Sequence, residues 1–246
     1  MKKYIVATIK KWNIKQYYLS KPKKSKNWYI ITDPKKLTFK YVNSIKPRYI
    51  FFPHWSKKVK KKITSNFECI CFHETNVPYG RGGSPIQNLI IRNHKKTVIT
   101  ALQMVDKLDA GPIYFKYPLP LNGSAQQIYE RAAKIIFNMI KVIIKGKLKP
   151  LVQKGKVIKF KRRTMKQNII PKNIRSLREL FNRIRMLDAH SYPSAFINYG
   201  NLRIEFTNAK VNKKDLDANV NIRFTSKEKK FIAIIEGQNI YKYNKR

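Results

Sequence analysis

The chain has 246 residues, of which 43% are hydrophobic and 12% aromatic, so it can bury a large core and is predicted to be globular. No apolar run approaches the roughly 20 residues that cross a bilayer, and the N-terminus turns to lysine before an export signal is complete. These features predict a cytoplasmic protein with no membrane partner.

Positive charge dominates the composition, with 54 Lys and Arg against 13 Asp and Glu and a formal net charge of +41. Such a surface attracts anionic ligands and predicts salt-sensitive, non-specific adhesion to nucleic acid. Because the excess is spread along the whole chain, it does not by itself establish a nucleic-acid function.

Cysteine and histidine spacing predicts neither a disulfide nor a metal site. Cys69 and Cys71 alternate on one apolar run, so both thiols are expected on one face of a strand, where a bond between them would need unusual geometry. The four histidines are scattered without the spacing of metal ligands.

In the first half of the chain, short β-branched and aromatic runs alternate with helical patterns. Asp33 followed by Pro34 is typical of a helix start, and apolar residues then recur at helical spacing. This alternation predicts an α/β domain with parallel strands. We predict strands at residues 4–9, 28–32, 49–52 and 67–72, and helices at 33–47 and 57–64.

The second half continues the alternation and then changes character. A long amphipathic helix is predicted between a cap at Ser124 and Gly146. We divide the chain into a domain at 1–150 and a C-terminal unit at 151–246, with a basic connector at about 151–170. The other predicted elements are helices at 84–93 and 176–187, strands at 97–105 and 113–119, a hairpin at 196–206 that turns at 200–201, and strands at 219–224, 231–236 and 239–243.

Two residues able to handle protons follow predicted strands. His73 ends the strand at 67–72, and Asp109 precedes Gly111 after the strand at 97–105. Because ligands bind where the strands of an open α/β sheet end, we expect both side chains at one edge, paired for acid–base chemistry. The alternatives are a histidine that caps a loop and an aspartate that closes an Asx turn.

A glycine-containing loop lies between them in sequence. Residues 78–85 include three glycines and lead into a helix that begins at Ser84 and Pro85, a setting in which backbone amides attract anions. The loop lacks the lysine of a P-loop and the spacing of a dinucleotide fingerprint, so no nucleotide motif is predicted.

These stretches together resemble the formyltransferase family that uses N10-formyltetrahydrofolate. The family pattern has three parts: Asn-x-His, then an Arg-Gly loop that ends in Pro-Ile-Gln, then Leu-Asp-x-Gly. In this chain the first part corresponds to Cys71-Phe-His73 and the second to Arg81-Gly82 through Pro85-Ile86-Gln87. The third corresponds to Leu108-Asp109-Ala-Gly111. The resemblance covers roughly residues 49–206. It implies a Rossmann-like formyltransferase domain with a mainly parallel, twisted sheet, and a small C-terminal α+β subdomain with short strands.

By this resemblance an acceptor amine attacks the formyl carbon, His73 moves protons and stabilises the oxyanion, and Asp109 holds His73 in position. The departure is Cys71, which stands where the family has an asparagine that donates to the oxyanion. A thiol is a weak donor, so another group substitutes or the protein is slow or inactive. Packing of Cys71 within a strand is favoured over a nucleophilic role.

The resemblance also implies which residues contact the two substrates. The formyl donor, N10-formyltetrahydrofolate, is expected to meet aromatic, basic and glycine positions, although Phe52 and His54 have an alternative interpretation as core and surface aromatics. The expected donor contacts are Phe52, His54, Arg81, Gly82, Gly83, Leu108 and Gly111. The expected acceptor contacts are Asn76, Tyr79 and Ser84.

For the acceptor, residues 161–164 and 185–196 are similar to the C-terminal segment of amino-sugar formyltransferases. This favours a dTDP- or UDP-linked amino sugar and a homodimer. Methionyl-tRNA is the alternative acceptor, for which the chain after residue 206 is expected to be short to form a tRNA-binding barrel. A third interpretation is an inactive formyltransferase scaffold that binds nucleic acid through its charge.

Overall fold

The computed structural model describes residues 1–22, 25–146, 148–190, 192–225, 233–236 and 239–242. Its helices are α1 (Lys11–Ser20), α2 (Phe39–Ile45), α3 (Lys61–Thr64), α4 (Pro85–Ile91), α5 (Ala125–Lys145) and α6 (Leu177–Arg185). Its strands are β1 (Tyr4–Ala7), β2 (Trp28–Ile31), β3 (Tyr49–Pro53), β4 (Cys69–His73), β5 (Tyr79–Gly82), β6 (Lys96–Gln103), β7 (Ile113–Pro120), β8 (Ile158–Phe160), β9 (Ala195–Tyr199), β10 (Leu202–Val211), β11 (Leu216–Phe224), β12 (Ala233–Glu236) and β13 (Asn239–Lys242).

Six strands form the central sheet in the order β2-β1-β3-β4-β6-β7. The first four run parallel, whereas β6 and β7 are antiparallel to their neighbours. The predicted α/β fold with a mainly parallel sheet is confirmed. The carboxyl ends of β3 and β4 lie side by side, because Phe52 pairs with Cys71 and Pro53 with Phe72.

Both faces of the sheet are covered, which explains the continuous apolar runs in its parallel strands. Helix α5 begins at a capping box of Ser124 and Gln127, and buries an apolar stripe that includes Ile128, Ala132 and Ile136 in the larger core. A second core packs α2 and α3 on the opposite face. No described helix is long and apolar enough to cross a membrane.

Several elements differ from the sequence-based prediction. Helix α1 was not predicted, because its apolar residues do not form one stripe. The predicted helix at 33–47 divides into a 3₁₀ turn (Pro34–Lys36) and α2, and the one at 57–64 is reduced to α3. Strands β5, in the glycine loop, and β8, in the connector, were also not predicted. They pair with each other in parallel and so join the loop to the connector.

The C-terminal segment forms an antiparallel sheet in the order β11-β10-β9, and the predicted hairpin turns at Gly200 as expected. Strand β11 is longer than the predicted strand at 219–224. The strands predicted at 231–236 and 239–243 overlap β12 and β13, while residues 231, 232 and 243 lie outside the described part of the chain.

A buried arginine ties α6 to the loop before α5. Arg185 is 6% exposed and donates from Nη1 to the carbonyl oxygens of Leu121 (2.6 Å) and Gly123 (2.8 Å). Its Nε donates to Asn182 Oδ1 at 2.7 Å. Burial lowers the pKa of Arg185 to about 10, so the guanidinium remains charged at neutral pH and its hydrogen bonds are charge-assisted.

We predict that Arg185→Ala lowers the free energy of unfolding by about 3 kcal/mol, because two buried carbonyl groups lose a charged donor. Urea denaturation monitored by circular dichroism would measure this loss. Arg178→Ala is the matched control on the exposed side of the same helix, and it should change stability by less than about 0.5 kcal/mol. Equal losses in the two variants would contradict the role given to Arg185.

Candidate active site

His73 ends strand β4 and is held by a backbone carbonyl. Its Nε2 lies 2.8 Å from the carbonyl oxygen of Gly80. A carbonyl oxygen only accepts hydrogen bonds, so Nε2 carries the proton and Nδ1 is the atom that can accept a second one. The tautomer of His73 is therefore fixed by Gly80, a contact that the sequence analysis did not identify.

Asp109 approaches the free nitrogen of this ring from a neighbouring loop. Its Oδ2 lies 3.7 Å from His73 Nδ1, and the two side chains are 11% and 9% exposed, respectively. The same oxygen accepts a hydrogen bond from the Gly82 amide at 2.9 Å, so the carboxylate joins two loops rather than closing an Asx turn on its own. At 3.7 Å the His73–Asp109 contact is too long for a hydrogen bond but close enough to stabilise an imidazolium.

A glutamine from the connector joins the same two loops a second time. Gln153 Oε1 accepts from Arg81 Nε (3.0 Å) and Nη2 (2.7 Å). Its Nε2 donates to the carbonyl oxygens of Asp109 (2.9 Å) and Gly111 (2.8 Å). Through Gln153, the guanidinium of Arg81 therefore stabilises the contact between the two loops.

The glycines of these loops permit close backbone approach. Gly82 has φ +111°, and a Cβ there would lie 2.4 Å from the carbonyl oxygen of Phe160. A Cβ at Gly111 would lie 1.7 Å from the carbonyl oxygen of Gln103. Any side chain would push the loops apart, so glycine is required at both positions.

His73 and Asp109 face a cavity of about 880 Å³. Ten of the thirteen sequence-predicted site residues line it: Phe52, His54, Cys71, His73, Arg81, Gly82, Gly83, Ser84, Leu108 and Asp109. The connector closes one side with Lys159, Phe160 and the segment 162–165.

Asn76, Tyr79 and Gly111 do not line this cavity. Asn76 is exposed and accepts from Lys116 Nζ at 2.6 Å, while Tyr79 packs its ring against Phe160. Gly111 lies behind the Asp109 loop, where it contacts the backbone of Gln103. Their positions give no support to the predicted contacts of Asn76 and Tyr79 with the acceptor or of Gly111 with the donor.

The structure also adds cavity residues that the sequence analysis missed. Trp12, Tyr129 and Tyr192 form a stack behind one wall, with centroids 4.9 Å apart for Trp12–Tyr129 and 5.5 Å for Tyr129–Tyr192. The ammonium of Lys10 lies 4.6 Å from the Tyr192 ring, and burial lowers its pKa. Tyr129 was hidden in the apolar stripe of α5, so periodicity alone gave no signal for it.

Glu74 was missed as well, although it directly follows His73. Its carboxylate lies in the cavity wall with Oε1 2.7 Å from His54 Nε2, and the two side chains are 5% and 8% exposed. Burial opposes ionisation of Glu74, but the charge and contact of His54, together with His73, outweigh it and lower the pKa of Glu74. The only sequence signal was an acidic residue beside a histidine in a strongly basic chain.

Cys71 lines the cavity beside His73 as a neutral thiol. Burial raises the pKa of Cys71 far above its ordinary value, and the charge of Asp109 adds to the shift. A thiolate nucleophile at this position is therefore disfavoured. Within the described ranges, no three His, Cys, Asp or Glu side chains cluster in a way that could hold a metal ion.

Comparison with known proteins identifies the family. The sequence profile of the methionyl-tRNA formyltransferase C-terminal domain matches residues 165–223. A solved structure described as methionyl-tRNA formyltransferase from Clostridium thermocellum is 44% identical, with a TM-score of 0.88 over 91% of this chain and 100% of that one. The chain therefore belongs to the formyltransferase family and is similar to its methionyl-tRNA formyltransferases.

More distant relatives agree with this placement. Methionyl-tRNA formyltransferase of Bacillus mycoides is 28% identical over 158 residues, which are 61% of this chain and 50% of that protein. The chain thus spans about half the length of the curated relatives it matches. A 4-N formyltransferase from Francisella tularensis shares the fold at 18% identity, with a TM-score of 0.61 over 81% of this chain and 93% of that one.

For the C-terminal segment, the comparisons favour a different branch of the family from the one predicted. The sequence predicts an amino-sugar type for residues 161–164 and 185–196. The C-terminal profile of methionyl-tRNA formyltransferases instead matches residues 165–223, which include 185–196 but not 161–164.

We predict that Gly82→Ala lowers catalytic turnover by at least about 100-fold, because the loop must shift and the Gly82–Asp109 hydrogen bond is lost. Gly200→Ala is the matched control, since Gly200 also has positive φ (+54°) but a Cβ there would meet no atom of the described residues within 4 Å. That variant should keep full turnover at a small cost in stability. Steady-state kinetics and thermal unfolding of both proteins would test this, and full activity of Gly82→Ala would contradict it.

Proposed function

We propose that this chain transfers a formyl group from N10-formyltetrahydrofolate to the amino group of methionyl-tRNA. The observation that carries the proposal is the 44% identity to the C. thermocellum protein over its full length, together with a His73–Asp109 pair that lines a cavity of about 880 Å³. The amino-sugar acceptor that the sequence favoured has weaker support, because a sugar N-formyltransferase from Shewanella shares the fold at only 16% identity, with a TM-score of 0.59.

In this proposal His73 carries the proton between the two nitrogens. The acceptor nitrogen attacks the formyl carbon, and the carbonyl oxygen becomes an oxyanion. Nδ1 of His73 takes a proton from the attacking nitrogen and returns it to N10 as the C–N10 bond breaks. Asp109 stabilises the imidazolium that forms in between, at 3.7 Å in the described geometry.

Two residues that line the cavity carry buried donors without partners among the described residues. Trp55 Nε1 and Arg163 Nε are buried and have no hydrogen-bond partner in the described part of the chain, and both residues line the cavity. Buried donors without acceptors are costly unless a ligand satisfies them. The guanidinium of Arg163 suits a carboxylate of the folate tail or an acceptor phosphate, and the indole suits a ring nitrogen or oxygen of the pterin.

Six cationic residues line the cavity against two carboxylates. Lys10, Lys107, Arg162 and Lys159 would draw in both the folate and a phosphate-bearing acceptor. This lining supports an acceptor that carries phosphate but does not by itself separate tRNA from a nucleotide sugar.

The test is to supply N10-formyltetrahydrofolate with initiator methionyl-tRNA or with a panel of dTDP- and UDP-linked amino sugars. We expect formylated methionyl-tRNA, and at least about a 100-fold lower kcat in Asp109→Asn because the imidazolium loses its counter-charge. Asp106→Asn is the matched control, since Asp106 is 63% exposed and, among the described residues, pairs with Lys61 alone; it should keep wild-type kcat.

Formylation of amino sugars alone would contradict the proposed acceptor. Wild-type rates in Asp109→Asn would contradict the proposed chemistry. Tight RNA binding by a wild-type protein that transfers no formyl group would favour the inactive scaffold.

We predict that Cys71→Asn raises kcat by about 10-fold or more, because a side-chain amide is a stronger oxyanion donor than a neutral thiol. Measurement of kcat with saturating methionyl-tRNA would show this. Cys69→Ala, two residues earlier on the same strand and away from the cavity, should leave kcat unchanged. A large loss in Cys71→Asn would mean that the cavity has adapted to sulfur.

A further inference from the structure

His54 and Glu74 form a second histidine–carboxylate pair in the same cavity, apart from His73 and Asp109. His54 follows strand β3 and has φ +49°, an unusual conformation for a residue other than glycine. Glu74 follows strand β4, the neighbour of β3 in the sheet. The pair is therefore placed where two parallel strands end, as expected for a ligand site.

Two donors fix the protonation of His54. Trp12 Nε1 donates to His54 Nδ1 at 3.2 Å, and Asn13 Nδ2 lies 2.8 Å from the same atom. Because an indole N–H only donates, Nδ1 must accept, and the ring proton is on Nε2, which faces Glu74.

Glu74 is incompletely satisfied. His54 Nε2 is 2.7 Å from Glu74 Oε1, and neither atom has a hydrogen-bond partner of regular geometry within the described residues. No lysine or arginine in that part of the chain pairs with Glu74. A buried carboxylate in this state has room for one more donor.

The other carboxylate that lines the cavity in the described ranges, Asp109, is already bonded to the Gly82 amide. Glu74 is therefore the acidic group available to a ligand in a cavity whose other charges are mostly cationic. The chemistry that fits such a group is an N–H donor that is positively charged or becomes so.

We propose that Glu74 receives the attacking amine of the acceptor and balances the positive charge that its nitrogen acquires during the reaction. The inference rests on the proposed function in that the acceptor is an amine. As the nitrogen lone pair bonds to the formyl carbon, the C=O π pair moves to oxygen, and one N–H of the positive nitrogen points at Glu74. On collapse the C=O bond reforms, the C–N10 bond breaks, and the proton passes through His73 to N10.

Glu74 remains ionised throughout, so it stabilises charge and does not take the proton. Its effect falls on the step in which charge develops, and therefore on kcat more than on binding of the ground state. His54, held by Trp12 and Asn13, acts as a positioning residue that fixes the carboxylate.

The test is Glu74→Gln, which keeps the shape of the side chain and removes its charge. With N10-formyltetrahydrofolate and initiator methionyl-tRNA, we expect kcat to fall about 100-fold. The dissociation constant of 5-formyltetrahydrofolate should change less than about threefold. The inhibition constant of initiator tRNA whose methionyl amine is replaced by a hydroxyl should also change less than about threefold. Neither this analogue nor 5-formyltetrahydrofolate develops charge at Glu74. Glu74→Asp should recover part of the loss.

Glu68→Gln is the matched control, because Glu68 pairs with Arg48 and Tyr114 outside the cavity; it should keep wild-type kcat. A kcat of Glu74→Gln within threefold of wild type would overturn the inference. So would weakened binding of the hydroxyl analogue in proportion to the loss of kcat, because that pattern indicates general distortion of the cavity.

A wild-type protein that does not formylate methionyl-tRNA would refute the proposed acceptor. Glu74 would then be tested with whichever amino-sugar nucleotide is formylated, by the same comparison of kcat and folate binding. If no amine is formylated, the inference about Glu74 fails together with the proposed function.

Discussion

The hydrogen bond from the Gly82 amide to the Asp109 carboxylate is the interaction on which the site depends. It holds the glycine loop against the Asp109 loop, and Gln153 repeats the connection through Arg81. The glycine loop also supplies the Gly80 carbonyl that fixes the His73 ring. Because Gly82 has positive φ and touches Phe160, the connector, the loop and the carboxylate are one packed unit.

The sequence predicted the parts of this arrangement that follow from sheet geometry. Strand-end residues of an open α/β sheet meet at one edge, so His73 and Asp109 could be placed together without coordinates. The resemblance to formyltransferases added Arg81, Gly82 and Leu108, which do line the cavity. The contact of the Gly80 carbonyl with His73 was not predictable, since it depends on the path of a loop and not on residue type.

Other features could not be predicted from the sequence, for physical reasons. Glu74 needs His54, twenty residues earlier, as its neighbour, and only the parallel pairing of β3 with β4 brings them together. The short strand β8 has too few residues for a periodic signal, yet it brings Phe160 and the arginines that follow to the cavity. The amino-sugar acceptor predicted from short segments at 161–164 and 185–196 has less support than methionyl-tRNA, because the methionyl-tRNA formyltransferase profile matches the longer stretch 165–223.

The proposed reaction requires the formyl carbon to lie near His73, with the attacking amine between that carbon and Glu74. A crystal structure with bound 5-formyltetrahydrofolate, a stable analogue of the donor, tests this most directly. We predict that its formyl group lies within about 4 Å of the His73 ring, with open space between it and Glu74 for an amine. A folate that occupies the space beside Glu74, or that binds outside the cavity, would contradict the account.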